Sequence, residues 1–213
     1  MAGAIHQFKS KEAAGKASQI KADSAEAHIA WGYYFYHGKL DYVQALKHFN
    51  IALKKQPKNS EILFGIGAVK RRQGELAGAV SNLVAASEID PRSPMIAFNL
   101  GETYALMRNY PDAEKWYDRA LILNPEYSRA YSWKARLFIN RGDTKKAREV
   151  LEEASQALSE LDPNLITYPW ILVDIFEGKY DESLQRLSPV SPRFLTNFIL
   201  SLRTIFLPKS IAL

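Results

Sequence analysis

From Ser60 onward, the apolar and small residues Leu63, Ile66, Gly67 and Val69 follow helical spacing, Gly74 interrupts them, and Leu76, Ala79, Val80, Leu83 and Ala86 resume the spacing up to Pro91. The pattern predicts a helix, a tight turn and an antiparallel helix. It recurs at a step of 34 residues: Ala45, Ala79, Ala113 and Ala147 form one series, Ala52, Ala86, Ala120 and Ala154 a second. Pro57, Pro91 and Pro125, and the small residues Gly67, Gly101 and Ala135, keep the same step. A fixed period of this size marks one supersecondary unit copied along the chain. Such units bury apolar surface only between neighbouring copies, so the 213 residues measure a number of repeats and predict one elongated domain.

The departures from the period are specific. Gly32 stands thirteen residues before Ala45, where later copies have twelve, so the turn around Gly38, Lys39 and Leu40 carries an extra residue. The fourth copy has Ala135 in place of glycine and runs on to Pro163, four residues late, which predicts a longer second helix from about Thr144 to Glu160. A fifth copy is degenerate: Gly178 and Tyr180 fit, Ser183 replaces the alanine, and Pro169 falls in the expected first helix, where its first turn is the tolerated place. The predicted organisation is a half-repeat over 1–24, four repeats over 25–163, the degenerate repeat over 164–190 and a terminal apolar helix over 191–213. Phe8 to Ala22 reads as a second helix lacking its first, and the last residues are apolar where arrays usually carry a polar cap. The expectation is a segment of a longer polypeptide, or a chain that pairs with a second copy through its apolar ends.

The order of small and large residues resembles the tetratricopeptide repeat family over nearly the whole chain. Ile66, Gly67, Gly74, Leu76, Ala79, Leu83, Ala86 and Pro91 occupy its signature positions, and Leu100, Gly101, Tyr104, Tyr110, Ala113, Tyr117, Ala120 and Pro125 occupy them again. The resemblance implies an all-α, right-handed superhelical solenoid of antiparallel helix pairs, about five pairs plus flanking half-units. It further implies that the first helices line a concave groove. By register, that groove receives Ile29, Tyr33, Tyr36 and His37 from the first copy and Phe64, Ala68, Arg71 and Arg72 from the second. Phe98, Glu102 and Ala105 follow from the third copy, and Arg129, Ser132, Arg136 and Asn140 from the fourth. The positions that capture acidic chaperone tails in some relatives hold Ile29, Tyr33 and Gly65 here, which is unlike that clamp. The segment from Gly32 to Leu46 is more similar to repeat regions attached to bacterial signalling proteins such as nucleotide cyclases and kinases.

Composition narrows the chemistry. Cysteine is absent, which excludes disulfides and thiolate sites and fits a reducing, cytoplasmic setting. The glycines form no phosphate-cradling loop, and His6, His28, His37 and His48 match no metal-ligand spacing, so neither cofactor nor metal is expected. Pairs such as Glu152 with Glu153 and Asp181 with Glu182 read as solvated helix faces without catalytic burial. Nothing reaches the roughly 18 uninterrupted apolar residues of a membrane span; Phe194 to Leu207, the most apolar stretch, is short and carries Arg203. The formal charge of +5 is spread over most helices, with only Lys70, Arg71 and Arg72 as a tight basic run, which argues against nucleic acid. In the run from Tyr33 to Tyr36, Phe35 is expected inside, and Trp116 at an intersubunit, interrepeat or surface position.

These features predict a non-catalytic protein-interaction scaffold. Arg71, Arg72 and Arg136 are the candidates for charge recognition and Tyr33, Phe64 and Phe98 for apolar anchoring, with Tyr36, Glu102 and Asn140 beside them. Such a groove suits a protein or peptide with acidic and apolar residues. The competing reading has the arginines paired with Glu61, Glu75 or Glu102 as structural ion pairs. Two further readings are a regulatory segment of a larger bacterial signalling enzyme and a helical-repeat nucleic-acid binder.

Overall fold

The structure, a computed structural model, describes residues 23–158 and 166–187. These residues form ten α-helices and one π-helical segment, with no strand among them. They belong to two compact units, Met1–Leu123 and Asn124–Leu213. The first contains α1 (Ala25–Tyr33), the π-helical segment (Tyr34–Lys39), α2 (Tyr42–Lys55), α3 (Ser60–Gln73), α4 (Leu76–Ile89), α5 (Pro94–Leu106) and α6 (Tyr110–Leu123). Helices pair in sequence, α1 with α2, α3 with α4 and α5 with α6, and the first helices of successive pairs also touch, α1 on α3 and α3 on α5. Short polar side chains start several of them: Ser24, Asp41, Asn59 and Ser93 each accept a first-turn backbone N–H, which would otherwise lack a partner. Pro57, Pro91 and Pro125 lie just beyond the second helices that they help to stop.

The alanine and glycine series have a direct packing reason. A Cβ added to Gly67 would stand 2.8 Å from Leu83 Cγ, and one on Gly101 would stand 2.7 Å from the Tyr117 ring, with the carbonyls of Ala79 and Ala113 each 3.2 Å away. The paired helices therefore approach to backbone contact, and Leu83 and Tyr117, both fully buried, fill the remaining space. Gly101→Ala is expected to cost about 1–3 kcal/mol, because Tyr117 has no free volume into which to retreat. Thermal unfolding reads this loss directly.

Each helix pair turns on one residue in the left-handed region: Leu40, Gly74, Arg108, Gly142 and Gly178. At four of these turns a backbone N–H reaches a carbonyl five residues back, as Glu75 does to Lys70 and Asn109 to Tyr104. At the first turn the corresponding bond, Asp41 N–H to Phe35 O, spans six. The extra residue expected near Gly38 is thus absorbed within the first helix, as the π-helical segment, while the chain reverses at Leu40. The widened turn also re-aims the aromatic run. Tyr34 and Tyr36 are buried, whereas Phe35, expected inside, is only half-buried and stacks on His48. Trp116 packs between repeats against the cluster of Leu83, Ala86, Ile96 and Leu100.

The second unit contains α7 (Ser128–Ile139), α8 (Thr144–Ala157), α9 (Thr167–Phe176) and α10 (Tyr180–Leu187). Ala135, Ala147, Leu151 and Ala154 are fully buried, so the register continues there. The longer second helix expected from Thr144 to Glu160 does not form. Helix α8 ends at Ala157, as long as α2, α4 and α6, with the Leu158 N–H making the last bond, to Ala154 O. Pro169 is in the first turn of α9, and Ser183 is buried at the alanine position. Residues 1–22, 159–165 with Pro163, and 188–213 lie outside the described residues. With them lie nearly all of the expected half-repeat over 1–24 and all of the terminal helix over 191–213.

Candidate functional site

Helix α3 places Glu61, Phe64, Ala68 and Arg72 at steps of three, four and four residues, which is one stripe of a helix. Arg72 is exposed at the C-terminal end of this stripe, Ala68 is buried in the core cluster of Phe49, Ile62 and Ile66, and Phe64 is half-buried with its body against the cluster of Leu83, Ile96 and Leu100. From the neighbouring pair, Tyr33 stacks on His37 with ring centroids 5.9 Å apart and meets Phe49 edge-on at 5.1 Å. Burial pushes the Tyr33 phenol well above its ordinary pKa, with further contributions from Glu61 and Tyr36. Tyr36 is 8% exposed, and its hydroxyl oxygen accepts a hydrogen bond from the Arg72 guanidinium. That bond raises the Arg72 pKa against the opposing effect of burial, so this charge is permanent.

Arg71, one residue earlier, points inward. It is 9% exposed, as is Glu102, and its Nη1 lies 2.5 Å from Glu102 Oε2 in an ion pair that lacks hydrogen-bond angle. The same nitrogen donates to the Asn99 carbonyl at 3.3 Å, which also accepts from Thr103 Oγ1 at 2.7 Å. Arg71 and Glu102, expected on the groove surface, therefore form a closed polar seam between α3 and α5. Phe98, expected as an anchor, is fully buried beside Tyr117, with ring centroids 5.9 Å apart, and presents no surface to a ligand. The structural reading of the arginines thus holds for Arg71 and not for Arg72. Arg136 and Asn140 belong to the second unit. Arg136 is half-buried with its guanidinium 5.3 Å from the Trp133 ring, and Asn140 closes α7 exposed to solvent.

The second unit contains a network that sequence reasoning missed. The Arg148 and Arg186 guanidiniums both lie over the Trp170 ring, 5.1 and 4.6 Å from its centre. Asp174, 1% exposed, accepts from Arg148 Nη2 at 3.2 Å and Arg186 Nε at 2.7 Å. Glu177 accepts from Arg148 Nη2 at 2.6 Å and Lys179 Nζ at 2.7 Å. Trp170, Asp174 and Glu177 recur at steps of four and three along α9, the signal by which this face could have been found. The charges answer one another within the unit, so the network fastens α8, α9 and α10.

Another cluster joins the ends of α1 and α2. His28 Nδ1 lies 3.0 Å from His48 Nδ1, and His28 Nε2 lies 3.1 Å from an Asp23 carboxylate oxygen that shares its group with Lys55. Burial lowers the His48 pKa from 6.5, helped by His28 and Lys47. The Arg148 and Lys179 hydrogen bonds lower Glu177 from 4.5 to about 2. Both folded values are depressed, so both contributions are complete above the unfolded values and are lost on acidification. Urea titrations at decreasing pH are therefore expected to show a loss of stability beginning below pH 6.5, absent in His48→Phe, and a second loss between pH 4.5 and about 2, absent in Glu177→Gln. Among the described residues, no group of three His, Cys, Asp or Glu side chains could hold a metal ion, and no helix is long and apolar enough to cross a membrane.

The helix pairs, their small-residue contacts and the side-by-side first helices define an all-α helical-repeat protein. Tetratricopeptide repeat models match residues 33–94, 96–127 and 116–149, and the chain belongs to the tetratricopeptide repeat family. Proteins of this family generally mediate protein–protein interaction and scaffolding. The chain is 29% identical over 140 residues to tetratricopeptide repeat protein 6 of Homo sapiens, covering 65% of this chain and 26% of that protein. The crystal structure of the APC/C hetero-tetramer Cut9–Hcn1 matches with a TM-score of 0.73 at 16% identity, covering 99% of this chain and 41% of that one. YrrB, described as having an unusual peptide-binding site, matches with a TM-score of 0.57 at 20% identity, covering 72% and 77%. These structural likenesses show the fold alone. The chain spans about a quarter of the length of the curated relatives it matches.

Proposed function

We propose that this chain is a non-catalytic scaffold, working in the cytoplasm, whose first unit receives an extended or helical peptide segment of a protein partner along α1 and α3. The observation that carries this reading is the α3 stripe: an exposed guanidinium and a half-buried phenylalanine on one face, with the half-buried Tyr33 of α1 packed on the cluster that α3 shares. Aromatic bodies with exposed edges anchor apolar side chains, and a guanidinium selects acidic ones. Rigid helices hold these groups in place, so little ordering is needed on binding. The peptide-binding site described for YrrB, a protein of the same fold, agrees with a peptide as ligand. Panning a displayed random-peptide library on the protein is the test. Enrichment of sequences combining acidic and apolar residues, with binding lost in Phe64→Ala and Arg72→Glu, is expected; enriched peptides indifferent to both substitutions would contradict the reading.

A further inference from the structure

We propose that Arg72, held in place by Tyr36 of the π-helical segment, reads one acidic side chain of the bound peptide, while Phe64 takes an apolar side chain three or four positions away. This rests on the peptide-binding reading above and names its chemistry.

Three observations converge on Arg72. Arg71 and Glu102 neutralise each other inside the unit, so one net positive charge remains among Arg71, Arg72 and Glu102, and it is the exposed one. Glu102, already in contact with Arg71, attracts Arg72 without a hydrogen bond, and the hydrogen-bond partner of Arg72 is the uncharged Tyr36 hydroxyl. A neutral partner orients the guanidinium fork without cancelling its charge, which leaves donors for an incoming carboxylate and removes part of the ordering cost.

The second observation is how Tyr36 gets there. Of the five turns, only the one after α1 has the six-residue bond, and the inserted residue produces the π-helical segment that carries Tyr36. Single π turns in helices recur at functional sites because they redirect side chains at a cost in regular bonding. Here the redirected ring is buried on the α2 and α3 side, against Tyr42 at 6.1 Å, with its hydroxyl at the Arg72 end of α3.

The third observation is spacing. Phe64 and Arg72 are eight residues apart on one stripe, about 12 Å along the helix axis. An extended peptide advances about 3.3 Å per residue, so it covers that span in three to four residues.

The test uses short peptides, acetylated and amidated so that no terminal charge competes, with phenylalanine fixed and glutamate placed two to six positions to either side. Binding is followed by fluorescence anisotropy. The pools with glutamate three or four positions from phenylalanine should bind best, about ten-fold more tightly than their glutamine twins, the usual effect of a charge-assisted hydrogen bond. Arg72→Gln should erase the preference for glutamate over glutamine. Tyr36→Phe should reduce the preference while leaving binding of the glutamine twin unchanged, which a general loosening of the fold would not do. Arg71→Met/Glu102→Met should keep the preference in full. Equal binding of glutamate and glutamine peptides by the wild-type protein, or a preference that survives Arg72→Gln, would overturn the assignment while leaving peptide binding intact. Failure of every pool, and of library panning, would overturn both.

Discussion

Phe49→Ala is expected to cost about 3–5 kcal/mol of folding stability, the largest single loss in the first unit. Phe49 is fully buried on α2, and its ring occupies the space left by two glycines on the flanking first helices. A Cβ on Gly32 would stand 2.6 Å from the ring, and one on Gly65 would stand 2.7 Å from it. The ring is therefore the piece that sets α1 against α3, with Tyr33 edge-on to it and Ile62, Ile66 and Val69 completing the cluster. Helix backbones cannot close over so large a void, so the transfer loss and the cavity cost both apply. Gly65→Ala approaches the same contact from the other side and should destabilise by overpacking, about 1–3 kcal/mol. Chemical denaturation of the two variants separates the mechanisms, since removing the ring in the Gly65→Ala background should cost less than removing it alone.

Arg71→Met is the second large effect, at about 3 kcal/mol. It leaves Glu102, 9% exposed, without its ion-pair partner, and Arg72, hydrogen-bonded to Tyr36, offers it an attraction but no hydrogen bond. Most of the loss is the burden of an uncompensated buried carboxylate, since the desolvation of both charges cancels much of the attraction in the intact pair. Arg71→Met/Glu102→Met should therefore recover to within about 1 kcal/mol of the wild-type protein. A double variant as unstable as the sum of the two singles would show no coupling between the two side chains and contradict this reading.

Much of the scaffold can be read from residue order, because helix pairs packed to backbone contact demand glycine at Gly67 and Gly101 and a side chain no larger than alanine at Ala79 and Ala113, and the demand for small residues repeats every 34 residues. The extra residue of the first copy was legible as a count. Its location was not, since a π-helical turn and a longer loop have the same length. Helix α8 shows the same limit in reverse: a late proline at 163 marks where a helix must have ended, and the last turn closed earlier, at Leu158. The site was legible only as a face. Arg71 and Arg72 are adjacent and chemically identical, and the roughly 100° between them on the helix decides which meets Glu102. Phe98 occupies a groove register but belongs to the packing around Tyr117. The network of Trp170, Asp174 and Glu177 was obscured by the degenerate fifth repeat, although its helical spacing is plain once α9 is placed.

A peptide bound on the α1 and α3 face of the first unit lies within reach of Phe64. Photo-crosslinking tests it most directly, with a benzophenone side chain placed either at Phe64 on α3 or at Val43, 70% exposed on α2. A fluorescent peptide from the enriched pool should become attached from position 64 and not from position 43. Attachment from position 43 alone would put the ligand on the second-helix face and rule out binding along α1 and α3.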